Sequence, residues 1–135
     1  MTYKIEDIQG IGPAYGEKLV AAGVVTVDQL LERGKTPKGR KELEEATGIT
    51  GKLILTWVNH ADLFRINGVG PQFSELLEAS GVDTVKEFAT RRADNLAKKM
   101  LEVNEEKHLT RRVPTEAEIQ KFIDQAKALE PMITY

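Results

Sequence analysis

A Gly-x-Gly-Pro segment that occurs twice constrains the fold of this chain more than any other feature. It reads Ile-Gln-Gly-Ile-Gly-Pro at residues 8–13 and Ile-Asn-Gly-Val-Gly-Pro at residues 66–71. Glycine reaches backbone angles that other residues avoid, and proline fits the first position of a helix. Each copy therefore predicts a tight turn that leads directly into a helix.

The similarity between the two copies extends beyond the turns. Ten of the twenty-one residues at 10–30 are identical to those at 68–88, with no gap and an offset of 58. Further along, the apolar pattern of 54–61 matches that of 119–126 only at an offset of 65, which places an insertion of about seven residues within 104–114. We predict two tandem repeats, residues 1–61 and 62–130, and a short apolar tail at 131–135.

Helical signals cover both repeats, and no strand is indicated. Apolar residues recur at helical spacing, and Thr-x-x-Gln or Thr-x-x-Glu patterns begin at Thr26, Thr84 and Thr115, as in capping boxes. Tyr15 and Phe73 lie on apolar helix faces, which favours packing over base stacking. We predict an all-α protein of about ten helices, in two five-helix repeats packed with pseudo-twofold symmetry.

Composition narrows the classes of function. The chain has 135 residues, no cysteine, two histidines and a net charge of −2. It lacks metal-ligand spacing, a nucleophile motif and a phosphate-binding loop, so we predict no enzymatic activity, no metal and no cofactor. It also lacks a run of about 18 apolar residues and a signal-peptide core, so we expect a cytoplasmic protein with no membrane partner.

Positively charged residues occur in three groups, at 33–41, 91–99 and 107–112. In one interpretation they flank the turns and follow a nucleic-acid backbone, which a protein with an acidic pI of about 5.8 can contact only through local cations. In the other, they are solvated faces balanced by neighbouring glutamates. Arg111 and Arg112 are the strongest candidates, because the inserted loop that holds them gives up regular packing.

The residues that follow each turn support a family resemblance. In the first repeat they are Glu17-Lys18-Leu19, Ala22-Gly23-Val24, Thr26-Val27 and Leu30, followed by Leu43 and Ala46-Thr47-Gly48-Ile49. Each half resembles the double helix-hairpin-helix unit of recombinase N-terminal domains and of the C-terminal domain of the RNA polymerase alpha subunit. Nearly the whole chain, including 61–65 and 111–114, resembles the tandem helix-hairpin-helix proteins described as domain of unknown function 4332.

The double helix-hairpin-helix resemblance implies sequence-independent DNA binding, with hairpin amides on phosphate oxygens. In some members it also implies a monovalent cation held by hairpin carbonyls. The corresponding residues here are Gly10, Ile11, Gly12 and Lys18 in the first repeat and Gly68, Val69 and Gly70 in the second. DNA-binding members place Lys, Arg or Thr just after the proline, whereas this chain has Ala-Tyr-Gly at 14–16 and Gln-Phe-Ser at 72–74.

Two functions remain open at this point. The intact turns favour a non-catalytic module that binds nucleic acid through hairpin amides, assisted by Lys18, Arg111 and Arg112. The acidic pI and the replaced residues after each proline favour a protein-interaction adaptor that keeps the scaffold without binding nucleic acid.

Overall fold

The computed structural model describes residues 3–135. Met1 and Thr2, which begin the predicted first repeat, lie outside the described residues. The described chain forms a 3-10 turn at Ile5–Asp7 and eight α-helices, and its β contact is an isolated bridge between Lys4 and Thr26. The helices are α1 (Gly12–Ala21), α2 (Val27–Gly34), α3 (Pro37–Thr47), α4 (Gly51–Leu63), α5 (Pro71–Ala79), α6 (Val85–Phe88), α7 (Ala93–Lys107) and α8 (Glu116–Ala128). The all-α prediction is confirmed.

The chain divides into two compact units. Unit 1 contains the residues up to Asp62 together with Met132–Tyr135, and unit 2 is Leu63–Pro131. The division lies one residue after the predicted repeat boundary. The tail, which we expected to stand apart from both repeats, belongs to unit 1 from Met132 onward.

Each helix of unit 1 contributes at least one fully buried apolar side chain. These are Leu19 of α1, Leu30 of α2, Leu43 of α3 and Ile54 of α4. The amide of Ile5 donates to the carbonyl of Val25 at 3.0 Å, and the amide of Val27 donates to the carbonyl of Tyr3 at 2.9 Å. These bonds hold the first described residues against the start of α2.

Unit 2 encloses its own apolar core. It includes Leu77 of α5, Phe88 of α6, Leu96 of α7 and Ile123 of α8, and α7 packs along α8. The rings of Phe88 and Phe122 meet edge to face, with centroids 6.4 Å apart. Such aromatic pairs add about 0.5–1.5 kcal/mol beyond their area burial.

The expectation of about ten helices is wrong. In place of a fifth helix, the described part of the first repeat has only the 3-10 turn Ile5–Asp7 before α1, and the second repeat has no helix between α4, which continues to Leu63, and α5. The amide of Ile66 then donates to the carbonyl of Leu63 at 3.1 Å, which closes a single turn in place of a helix. Each unit therefore has four α-helices, apart from the last residue of α4.

The predicted helix starts agree with the structure where threonine caps them. The hydroxyls of Thr26, Thr84 and Thr115 each accept a hydrogen bond from the amide three residues later, at 3.2 Å. Gln29 and Glu118 complete the box by accepting from the backbone amides of Thr26 and Thr115. The capping boxes at Thr26 and Thr115 are confirmed, whereas Thr84 caps its helix without a return bond from Glu87, whose carboxylate accepts from Arg91.

The inserted segment is shorter than residues 104–114, because α7 continues to Lys107. His108 ends the helix in the left-handed region at φ 53°. The side chain of Asn104 then closes the loop: its Oδ1 accepts from the amide of Thr110 at 2.9 Å, and its Nδ2 donates to the carbonyl of Thr110 at 3.0 Å. Glu105, Glu106 and Lys107 are good helix formers, which explains why α7 continues to Lys107.

The tail is held by Arg40, which is only 8% exposed. Its guanidinium donates to the carbonyl of Gly34 at 2.8 Å and to the carbonyl of Thr134 at 2.7 Å. The amide of Thr134 donates to the carbonyl of Lys35 at 2.8 Å, and the hydroxyl of Tyr135 donates to Asn59 Oδ1 at 3.2 Å. Burial lowers the pKa of Arg40, and the charge of Tyr135 opposes that change.

Candidate functional site

The two Gly-x-Gly-Pro segments form turns with the same backbone bonds. We call residues 8–13 glycine turn 1 and residues 66–71 glycine turn 2. Gly10 and Gly68 adopt nearly the same left-handed angle, with φ of 93° and 97°. At the far end of the helix that follows, the amide of Val24 donates to Leu19 at 2.9 Å and that of Val82 donates to Leu77 at 2.8 Å. Residues that are 58 positions apart in these segments therefore have the same local backbone structure.

The middle residue of each turn does not offer a free amide. Ile11 donates to the carbonyl of Ile8 at 3.3 Å, and Val69 donates to the carbonyl of Ile66 at 3.1 Å. Their side chains are 1% and 2% exposed, so both residues anchor the turn in the core of their own unit. The expectation that the amide of Ile11 points outward unpaired is wrong, and the Val69 amide is likewise already bonded.

Glycine turn 1 nevertheless presents free backbone donors. Gly10, Gly12 and Ala14 are exposed, and Gly12 has a left-handed φ of 64°. The first amides of an α-helix have no partner within the helix. Among the residues that the structure describes, none accepts a hydrogen bond from the amide of Gly12 or Ala14. These two amides lie at the positive end of the α1 dipole.

The charges near glycine turn 1 include both signs. The Nζ atom of Lys18 lies 6.0 Å from the centroid of the Tyr15 ring, and that ring contacts Trp57 with centroids 5.2 Å apart. The side chain of Glu6 lies against Gly16, where a Cβ would be 3.2 Å from its Oε1. Tyr15 and Trp57 are therefore packing residues behind the turn, and Lys18 is the cation on its helix.

Glycine turn 2 is closed by side chains of α8. The amide of Asn67 donates to Gln125 Oε1 at 2.9 Å, and Gln125 Nε2 donates back to the carbonyl of Asn67 at 3.2 Å. A Cβ at Gly68 would be 2.8 Å from Phe122 Cε1, so the ring covers one side of the turn. Gly70 has a φ of −113°, unlike Gly12. The two turns therefore differ at the Asn67 peptide and at their second glycine, whereas the amides of Gly70 and Gln72, like those of Gly12 and Ala14, have no acceptor among the described residues.

Arg112 is committed to an internal ion pair. Its Nη1 and Nη2 donate to the two carboxylate oxygens of Glu118 at 2.5 and 2.9 Å, and its guanidinium lies 5.7 Å from the centroid of the Phe73 ring. The hydrogen bonds from Arg112, followed by the bond from the Thr115 amide, lower the pKa of Glu118 from 4.5 to about 2. Arg111 beside it is exposed and has no partner among the described residues. Of the two predicted loop cations, only Arg111 is free.

The other cation groups divide into structural and exposed members. Arg33 donates to the carbonyl of Ala22, and Arg91 donates to the carbonyl of Gly81 at 2.7 Å. Both arginines thus bind a carbonyl in the turn that follows the first helix after a glycine turn. Arg92, Lys98 and Lys99 are exposed.

Sequence reasoning missed the side chains that close glycine turn 2. Gln125 and Glu118 both lie on α8. Gln125 binds Asn67, 58 positions earlier, and Glu118 binds Arg112 in the loop before α8. The capping-box pattern indicated Glu118 as a partner of Thr115, and the structure adds its second role. Ser80 was also missed: it is 3% exposed, and its hydroxyl has no partner in the described structure.

Two kinds of site are not found in the part of the chain that the structure describes. Its side chains include no group of three or more His, Asp or Glu placed to hold a metal ion. None of its helices is both long and apolar enough to cross a bilayer.

These features define an all-α protein of two helical units, each with a glycine turn before a helix. Residues 9–129 match the family model for Domain of unknown function (DUF4332), and the chain belongs to this family. The predicted membership of domain of unknown function 4332 is therefore confirmed. No curated protein and no solved structure is significantly similar to the chain.

Proposed function

We propose that each unit is a copy of the double helix-hairpin-helix unit, and that the protein is a non-catalytic cytoplasmic module that binds the backbone of DNA through glycine turn 1. The ten identities at an offset of 58 support the duplication, as do the equal angles at Gly10 and Gly68 and the paired backbone bonds. Arg33 and Arg91, also 58 residues apart, make similar contacts, with the carbonyl of Ala22 and with that of Gly81, which is one position further along than the counterpart of Ala22.

The free amides of Gly12 and Ala14 carry this proposal. They are exposed, they have no acceptor among the described residues, and they begin a ten-residue helix. Phosphate oxygens are suitable acceptors there, because the helix dipole favours negative charge at its N-terminus. Binding of this type depends on the backbone and not on base identity.

Glycine turn 2 contributes less to DNA binding in this proposal. Gln125 already accepts a hydrogen bond from the amide of Asn67, and Glu118 neutralises Arg112. The free cations that remain from the predicted site are Lys18 and Arg111. With about two phosphates neutralised, the log of the association constant should fall with the log of salt concentration at a slope of roughly −2.

The test is a salt titration of the full chain against a duplex, with a glycine variant and a matched control. Gly12→Val should weaken binding about tenfold by blocking one hydrogen bond to a charged acceptor. Gly48→Val is the control, because Gly48 has a similar φ of 73° and, like Gly12, has open space where a Cβ would lie. Circular dichroism would check that both variants stay folded.

Two results would contradict the proposal. One is the absence of duplex binding by the wild-type chain at about 50 mM salt, where electrostatic contacts are only weakly screened. The other is an equal loss of affinity in Gly12→Val and Gly48→Val, which would attribute the effect to backbone strain and not to a lost contact.

The closed state of glycine turn 2 favours a second candidate, the protein-interaction adaptor. In that case the turns serve only to pack helices, and the net charge of −2 carries no penalty. A defined protein partner that binds Gly12→Val as tightly as the wild type, together with no duplex binding, would establish this alternative.

A further inference from the structure

Unit 2 contains a cleft that plays no part in the glycine turns. It has a volume of about 390 Å³, within the range of small-ligand clefts. We call it the basic cleft. Its lining residues are Ser80, Thr90, Arg91, Arg92, Asn95, Leu96 and Lys99.

Positive charge is in excess around the basic cleft. Arg91 pairs with Glu87 at 3.1 Å and Arg92 pairs with Asp94 at 2.9 Å, and both carboxylates lie outside the lining. Lys99 is exposed and has no ion-pair partner within the described residues. The lining itself therefore holds three cations and no carboxylate, which favours an anionic ligand.

An unpartnered hydroxyl belongs to the same lining. Ser80 is 3% exposed, and its Oγ neither donates nor accepts a hydrogen bond in the described structure. Buried polar groups are nearly always satisfied, so this hydroxyl calls for a partner that the protein does not supply. Thr90 donates its hydroxyl hydrogen to the carbonyl of Glu87 at 2.7 Å, which leaves its oxygen as an acceptor.

The N-terminal end of α7 lies beside the basic cleft, but its first two residues, Ala93 and Asp94, are not part of the lining. The cap residue is Arg92, whose side chain makes no capping bond and has no acceptor to offer. Asp94 binds the amide of Asn95 at 2.8 Å, and the earlier amides of the fifteen-residue helix have no such bond. The amide of Asn95, which does line the cleft, is therefore already bonded.

We propose that the basic cleft binds a phosphate group. Lys99 supplies an unpaired charge, Arg92 adds a charge that it shares with Asp94, and the Ser80 hydroxyl donates to a phosphate oxygen. At the same spacing of 58 residues, unit 1 has Ala22 in place of Ser80 and Gly34 in place of Arg92. Lys99 has a counterpart in Lys41, so it is the Ser80 hydroxyl and Arg92 that are specific to unit 2.

The first test titrates inorganic phosphate into the full chain and follows backbone amide NMR shifts. The amides of Thr90 and Asn95 should shift in a saturable way. Ser80→Ala should weaken binding about tenfold through loss of a hydrogen bond to a charged acceptor, and Lys99→Ala should weaken it about fivefold. Lys98→Ala is the matched control, because its side chain is exposed on the same helix but does not line the cleft.

Absence of saturable shifts up to about 50 mM phosphate would overturn the proposal, since a site with a dissociation constant near 10 mM would be mostly filled there. An equal effect of Lys98→Ala and Lys99→Ala would also overturn it, because the response would then be general charge screening.

A second titration with a short DNA duplex identifies the source of the phosphate. A DNA backbone as the ligand predicts that Lys99→Ala weakens duplex binding, whereas a phosphorylated small molecule predicts an effect on phosphate alone. Gly12→Val separates the two proposals, since it should leave phosphate binding in the basic cleft unchanged even if duplex binding is lost.

Discussion

Two glycines with the same backbone angle have different surroundings, and this difference can be measured. Gly10 and Gly68 both require the left-handed region, where a side chain costs about 1–2 kcal/mol. A Cβ at Gly10 would lie 3.8 Å from Trp57 Nε1, an ordinary contact, whereas a Cβ at Gly68 would lie 2.8 Å from Phe122 Cε1. The repeat in sequence gives no sign of this asymmetry.

We therefore expect Gly68→Ala to destabilise the protein more than Gly10→Ala. Both variants carry the backbone cost, and only Gly68→Ala adds an overlap with the Phe122 ring, worth about 1–3 kcal/mol more. Urea unfolding followed by circular dichroism measures the difference. Equal losses would show that the ring of Phe122 moves aside freely.

The ion pair between Arg112 and Glu118 predicts a pH dependence. Because the folded-state pKa of Glu118 is about 2 and the ordinary value is 4.5, its stabilisation is fully present above about pH 4.5 and is lost as the pH falls toward 2. Glu118→Gln should thus lower the melting temperature at pH 7, and the gap to the wild type should narrow as the pH falls toward 2.

Glu116→Gln provides the control for this experiment, since Glu116 is an exposed carboxylate at the start of the same helix. It should change the melting temperature little. A gap for Glu118→Gln that is constant between pH 7 and pH 2.5 would contradict the assignment of the stabilisation to the charged form.

Helices were predictable where their ends are determined locally. Threonine caps and the proline after each turn depend on residues within four positions, and the structure follows them at Thr26, Thr84 and Thr115. The end of α7 was not predictable, because it depends on how Asn104 binds the backbone of Thr110 after the chain has already turned. Helix ends that depend on tertiary contacts of this kind leave no periodic signal in the sequence.

The candidate site was likewise predictable only where local geometry determines it. The exposed amides of glycine turn 1 follow from helix geometry and could be predicted. The closure of glycine turn 2 could not, because Gln125 lies 58 residues from Asn67 and its pattern is that of an ordinary polar helix position. The orphan hydroxyl of Ser80 depends likewise on packing, since the sequence shows only a serine at the end of an amphipathic helix.

At the scale of the whole molecule, the tail packs as part of unit 1. Arg40 is the centre of this contact, because its guanidinium binds the carbonyls of both Gly34 and Thr134. Removal of Arg40 leaves two carbonyls without their charged donor in a largely buried place. The tail is therefore a structural part of unit 1.

Arg40→Ala should lower the free energy of unfolding by about 2 kcal/mol or more, through the loss of hydrogen bonds from a charged group. Lys41→Ala, at an exposed neighbouring position, should have little effect. Removal of residues 132–135 from the wild type and from Arg40→Ala completes a double-mutant cycle, and an interaction energy of about 1 kcal/mol is expected for residues in contact. Strict additivity would show that Arg40 acts without the tail.

Leu63–Pro131 separates the helices of unit 1 from the tail that completes it, so unit 1 is assembled from two segments that lie on either side of unit 2 in sequence. Because Met132–Tyr135 is synthesised after all of unit 2, the bond between Arg40 and Thr134 forms only once unit 2 has been made. A fusion partner attached after Tyr135 would therefore be expected to disturb unit 1 more than unit 2, although unit 2 is nearer to it in sequence.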